Sequence, residues 1–169
     1  MKARRDIALV WLMFVLTPAA GCDVSLFHDA ISTTVEIPAT DVASMVATTK
    51  RFRFERDIAA ASSAVMYQAW VSVDSPSSFD LSFLSSVDIY AVIPDSSERT
   101  LLVRGVSFAP GERFRHLDIV FDEDLRHLVV DQRVTLEWEL MPNQLFSGWD
   151  GVEQADLRFG IVLEIETDS

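Results

Sequence analysis

Two segments near the C-terminal end leave little freedom in how this chain can fold. Arg133 to Leu140 (RVTLEWEL) alternates without a break, and Leu157 to Glu166 (LRFGIVLEIE) repeats the pattern. Successive side chains of a strand point to opposite faces, so Val134, Leu136, Trp138 and Leu140 share one side and Arg133, Thr135, Glu137 and Glu139 the other. In the second segment Leu157, Phe159, Ile161, Leu163 and Ile165 line one face. One dry face and one wet face is the pattern of an antiparallel sheet covered on one side only.

Further strands are expected at Ile31–Pro38, Val65–Val73, Val87–Ile93, Thr100–Phe108 and Phe114–Phe121, with turn compositions such as Asp74-Ser75-Pro76-Ser77-Ser78 and Ala109-Pro110-Gly111 between them. Val65, Tyr67, Ala69, Val71 and Val73 are expected on one face, as are Leu117, Ile119 and Phe121. Asp41–Lys50 fits either a short capped helix or extended chain, whereas Phe52 and Phe54 alternate with charge as in a strand. Phe79–Leu84 reads as a single turn plugging one end of the core, and Asp122-Glu123-Asp124 as the start of a short helix. These elements predict an all-β chain, an antiparallel two-sheet β-sandwich of immunoglobulin-like kind with about 7–8 strands and one or two short helical turns. A lipid-facing barrel fits less well, because Glu137, Glu139, Glu164 and Glu166 all face outward.

The first residues follow a different logic. Lys2, Arg4 and Arg5 precede Ile7–Leu16 (IALVWLMFVL), and Leu16–Ser25 (LTPAAGCDVS) holds the only cysteine of 169 residues. A basic start, a ten-residue apolar run and then small residues describe a secretory signal rather than a span, which takes roughly 20 apolar residues. Ala19-Ala20-Gly21-Cys22 resembles the lipobox of bacterial lipoproteins, although that family usually has leucine where Ala19 stands. The resemblance covers residues 1 to about 23. It implies cleavage before Cys22 and acylation of its thiol, which also explains a lone cysteine in an oxidising compartment. The expected division is therefore a signal peptide over 1–21, a lipidated N-terminus with a short linker over 22–30, and the sandwich over 31–169. The expected location is the bacterial cell envelope, at either the inner or the outer membrane.

Without the leader 148 residues remain, enough for one domain with a substantial core. The chain has 14 basic and 26 acidic residues; setting aside Lys2, Arg4, Arg5 and Asp6 leaves 11 and 25, a formal charge of −14. Such a surface repels a phosphate backbone, which excludes nucleic acid as a partner. With Cys22 acylated, neither a disulfide nor a thiolate metal site can form.

No motif of a hydrolase or a nucleotide-binding loop is present. His116 and Asp118 lie two apart on one expected strand and could form an acid–base pair, or simply decorate a wet face. His28 and His127 lie elsewhere in the sequence. Glu137 and Glu139 face one way, as paired carboxylates do in glycosidases, and as solvated ones do on any sheet. Asp122 and Asp124 on one loop, with Asp150, Glu153 and Asp156 on another, are the candidate oxygen ligands for calcium. Phe146 and Trp149 could form an aromatic platform for a sugar or an apolar partner, or fold back over the core. The expected function is that of a membrane-anchored, non-catalytic binding, adhesion or assembly module without a cofactor, meeting a protein or glycan. The alternatives are an envelope glycan hydrolase and a calcium-dependent adhesive domain.

Overall fold

A computed structural model describes residues 24–41, 44–54, 57–93 and 98–168. The expected signal peptide and Cys22 lie outside these residues. Among these residues nine strands follow one another: β1 (Val24–Pro38), β2 (Val46–Arg53), β3 (Ser63–Ser75), β4 (Leu84–Val92), β5 (Arg99–Val106), β6 (Phe114–His116), β7 (Asp118–Ile119), β8 (Arg133–Pro142) and β9 (Gln154–Asp168). They form two sheets, ordered β1-β9-β3-β6 and β2-β8-β4-β5-β7, with every pairing antiparallel. The two-sheet antiparallel sandwich expected from the alternation is present.

The strand order is a finer property. Along the chain β1 pairs with β9, β2 with β8, β3 with β6, and β4 with β5, as if one long hairpin had been rolled up. That is the jelly-roll order, in which the chain changes sheet at most connections. In the immunoglobulin order the first two strands share a sheet, whereas here β1 and β2 lie in opposite ones. Alternation reports which face of a strand is dry but not its neighbours, so the sequence could not separate the two.

Three local differences follow from register. Strand β1 begins at Val24, seven residues before the expected Ile31, so residues 24–30 of the anticipated linker are sheet, held by pairs from Val24↔Asp168 onward. In β3 a bulge between Met66 and Gln68 inserts one extra residue. Ala64 and Met66 point inward before it and Ala69, Val71 and Val73 after it, which turns Tyr67 out to 56% exposure. The expected strand Phe114–Phe121 splits, with β6 pairing to β3 in one sheet and β7 to β5 in the other. Leu117, 6% exposed at this corner, keeps its N–H on Ala69 O at 2.9 Å.

Of residues 41–50, Asp41 ends a 3-10 turn that begins at Ala39, and Val46 onward forms β2. Leu81–Phe83 and Leu125–Leu128 are also 3-10 turns, each capped by the aspartate before it. The core lies between the sheets, with Trp138 and Phe159 meeting across it at a centroid separation of 6.1 Å. Phe79, Leu81, Phe83 and Leu84 close one end, as the sequence suggests. Trp138 is fully buried, yet its Nε1 has no hydrogen-bond partner among the described residues.

Packing alone therefore holds that indole. Trp138→Ala is expected to cost about 3–5 kcal/mol in urea unfolding. Trp138→Phe should cost only about 1 kcal/mol, because the lost volume is offset by removing an unsatisfied donor.

Candidate binding surface

The groups proposed from sequence as catalytic or metal-binding are dispersed or already occupied. His116 is on β6 and Asp118 on β7, so the two belong to different sheets. His116 Nδ1 instead meets Gln68 Nε2 at 3.0 Å. Glu137 and Glu139 do face one way, and Arg99 joins them: its Nη1 donates to Glu137 Oε1 at 2.8 Å and to Glu139 Oε1. The same guanidinium lies 4.2 Å above the Tyr90 ring. Desolvation, followed by the charges of Asp88 and Glu139, pushes the Tyr90 phenol above its ordinary range. A carboxylate pair bridged by arginine is a cross-strand lock rather than an acid and a base.

The acidic loops do not converge either. Asp124 caps the Leu125–Leu128 turn, accepting from Arg126 N at 3.0 Å and Arg126 Nε at 2.6 Å. Asp156 lies on β9 and accepts from Ser75 Oγ and Gln154 Nε2, both at 2.6 Å. Asp122, Asp150 and Glu153 are exposed. Among the described residues no three His, Cys, Asp or Glu side chains gather closely enough to hold a metal ion. His127 folds back to Asp124 O at 2.7 Å.

Phe146 and Trp149 do not form a platform. Trp149 packs edge-on against Phe79 at 4.9 Å and Phe83 at 5.6 Å, and Phe146 lies 5.1 Å from Phe79. This four-ring cluster belongs to the core end. Nearby, Arg113 holds the 76–80 turn by donating to the carbonyls of Val73 (3.0 Å), Pro76 (3.3 Å), Ser77 (2.6 Å) and Phe79.

The aromatic surface of the molecule lies on the outer face of the β1-β9-β3-β6 sheet. Trp70, Gly160, Ser32 and His116 occupy one rung across four strands. The Trp70 indole lies over Gly160, so closely that any Cβ there would collide with its ring atoms. Phe114 packs beside it at 5.7 Å and 32°, and is 50% exposed. His116 meets Phe114 edge-on at 5.0 Å. Farther along β3, the bulged Tyr67 lies 4.6 Å from the ring of His28, whose Nε2 is 3.4 Å from Glu164. The phase of the alternation carried a signal for this row: Trp70 falls between the inward Ala69 and Val71, Phe114 is out of phase with Leu117, and Gly160 interrupts an otherwise bulky strand.

Cavities are also present among the described residues. One, under the Leu125–Leu128 turn, is a small apolar gap of about 20 Å³ lined by core residues including Ile31, Phe54 and Met66. No helix among the described residues is long and apolar enough to cross a membrane.

Comparison with known proteins adds little. No protein-family model matches the chain and no curated protein matches it. A solved structure described as a nora virus structure is similar, at 14% identity and a TM-score of 0.35, over 100% of this chain and 67% of that one.

Three carboxylates elsewhere in the fold make acid stability predictable. Hydrogen bonds from Arg126 outweigh desolvation and hold Asp124 below its ordinary 3.8, and those from Ser75 and Gln154 do the same for Asp156. At Asp80, burial pulls upward, but Ser82, Gly111 N and Arg113 together prevail and lower it. A depressed folded pKa contributes stability that is full above the unfolded value and lost as pH falls through the folded one. The urea midpoint should therefore fall as the pH drops through and below the ordinary carboxylate range. Asp156→Asn should be less stable than the parent at neutral pH and converge with it in acid. Arg113→Ala, which removes the guanidinium's hydrogen bonds to four carbonyls, should cost about 2–3 kcal/mol at neutral pH.

Proposed function

We propose that this chain is a lipid-anchored, non-catalytic binding module of the bacterial cell envelope, which meets its partner with the outer face of the β1-β9-β3-β6 sheet. The observation that carries the reading is the half-buried Trp70 indole over Gly160 with the exposed Phe114 ring beside it. Large aromatic groups on the wet side of a sheet are costly to leave uncovered, and they are the residue types in which contact energy concentrates. The arginine lock on Glu137 and Glu139 and the separation of His116 from Asp118 favour binding over hydrolysis.

The lipobox resemblance at Cys22 supports the anchor. Two acyl chains or more hold a protein to a bilayer effectively permanently, where one does not. Only two residue steps separate Cys22 from Val24, a reach of at most about 7 Å. An acylated Cys22 would therefore hold the start of β1 close to the lipid, with the aromatic row farther along the sheet. The net negative charge keeps the remainder of the surface off anionic headgroups.

Two measurements test the two halves. Native protein should begin at Cys22 with the added mass of its acyl groups, and Cys22→Ser should leave the membrane fraction. An unmodified N-terminus elsewhere would end the lipoprotein reading. A photo-crosslinking residue at position 114 should give adducts in intact cells, whereas one at Leu145, 92% exposed on the 143–153 loop, should not. Equal yields at both positions would remove the sheet face as the contact surface.

A further inference from the structure

We infer that the Trp70 platform takes an uncharged, linear oligosaccharide, whose apolar sugar faces stack on the indole and on Tyr67. The inference rests on the reading of this sheet face as the contact surface, and it names the class of ligand.

The first argument is the shape of the floor. Because Gly160 has no side chain, the indole lies along the sheet instead of standing up from it, and its ring face away from Gly160 is directed off the sheet. A flat, fixed ring of this kind suits the C–H-bearing face of a sugar ring. It also loses little rotamer freedom on binding, since packing between Gly160 and Phe114 has already fixed it.

The second argument is area. Trp70 and Phe114 cover about two strand spacings by two rungs, roughly 10 Å by 7 Å, or about 70 Å². A standard protein partner needs roughly 800 Å² on each side with an apolar centre. Beyond the two rings the rung continues in Gly160 and Ser32 and the next one in Val162 and Ala30, small groups that do not bring the apolar floor to that scale. A sugar needs no more than a ring-sized floor with hydrogen-bonding groups around it. Ser32, Thr34, Gln68, Ser72 and Arg158 supply such groups from the outward positions of β1, β3 and β9.

The third argument is charge. Arg158 Nη2 lies 2.6 Å from Asp74 Oδ2, so the guanidinium nearest the platform is paired, and Glu164 lies 3.4 Å from the His28 ring. The rim therefore presents polar groups and no uncompensated positive charge from Arg158, and the acidic chain as a whole disfavours anionic polymers. Tyr67 is three residues from Trp70 along β3, about 10 Å away. That spacing would let one extended oligosaccharide stack on both rings, so longer chains should bind better than disaccharides.

The test uses the full-length protein extracted in detergent. It is titrated with chitohexaose, cellohexaose, maltohexaose and mannohexaose while tryptophan emission and sugar proton line widths are followed. At least one hexasaccharide should shift the emission at millimolar concentration. Trp70→Ala should weaken that binding by about tenfold or more, Trp70→Phe by less, and Gly160→Ala by an amount close to Trp70→Ala through tilting the indole. Unchanged melting temperatures in these variants would separate loss of the platform from loss of the fold; should Trp70→Ala melt early, Gly160→Ala and Trp70→Phe decide. No response to any of the four sugars, or binding indifferent to both Trp70→Ala and Gly160→Ala, would overturn the inference. Adducts at position 114 combined with no sugar response would leave the sheet-face reading standing and point to a protein partner instead.

Discussion

Strand β9 is hydrogen-bonded on both edges for most of its length, to β1 from Val24↔Asp168 through Pro38↔Gln154 and to β3 from Ser63↔Glu166 through Ser75↔Asp156. The rest of the molecule depends on this double pairing. A fifteen-residue strand with no free edge fixes the register of both neighbours, and with it which side chains reach the core. Leu157, Phe159, Ile161, Leu163 and Ile165 are all buried on its inner face. Slipping the register by one residue would bring Arg158 and Glu164 inward. The last element of the chain thus closes the roll begun by the first, which makes the topology strongly non-local.

The same strand builds the outer face. Gly160 occupies an outward position where Arg158, Val162 and Glu164 occupy the others, and it is the position over which Trp70 lies flat. The bulge in β3 then sets the rest of the row. By inserting Tyr67 it leaves Ala69, Val71 and Val73 inward while turning Trp70 outward onto the same face as Phe114. Sheet geometry, rather than a loop, positions these aromatic groups, and a surface held by ladder hydrogen bonds is more rigid than one carried on loops. The opposite sheet uses its outer face differently, with Arg99 spanning Glu137 and Glu139 and Arg104 gripping Asp88 through both oxygens at 2.8 and 3.1 Å. Those contacts pair charges across strands and offer no apolar floor.

Much of the sandwich was legible in the sequence, for a definite reason. Arg133–Leu140 and Leu157–Glu166 alternate strictly because one face of each is dry, and every inward residue expected there is buried. Pairing partners leave no such trace, so the rolled strand order was not legible. The bulge was hidden because Val65, Tyr67, Ala69, Val71 and Val73 look equally apolar in either phase; only the backbone's extra residue distinguishes them. The break at Leu117 was hidden likewise, since a strand that changes sheet keeps its alternation on both sides of the corner. For the site, sequence reasoning attended to Phe146 and Trp149 because they lie on a glycine-containing loop. They instead join Phe79 and Phe83 to complete an end of the core that the sheets leave open. Trp70 falls within an expected strand but out of phase with the inward Ala69 and Val71, which is the trace it leaves in the sequence.

The seat of Trp70 on Gly160 is the claim that most exposes the account to refutation, because the contact surface and its ligand class both depend on it. Proton NMR of the unliganded protein measures it directly. An indole lying over Gly160 predicts strong upfield ring-current shifts of the Gly160 Hα protons and cross-relaxation between them and the indole protons of Trp70. Gly160 Hα resonances at unshifted positions, with no such cross-peaks in a folded sample, would contradict the platform on which the account is built.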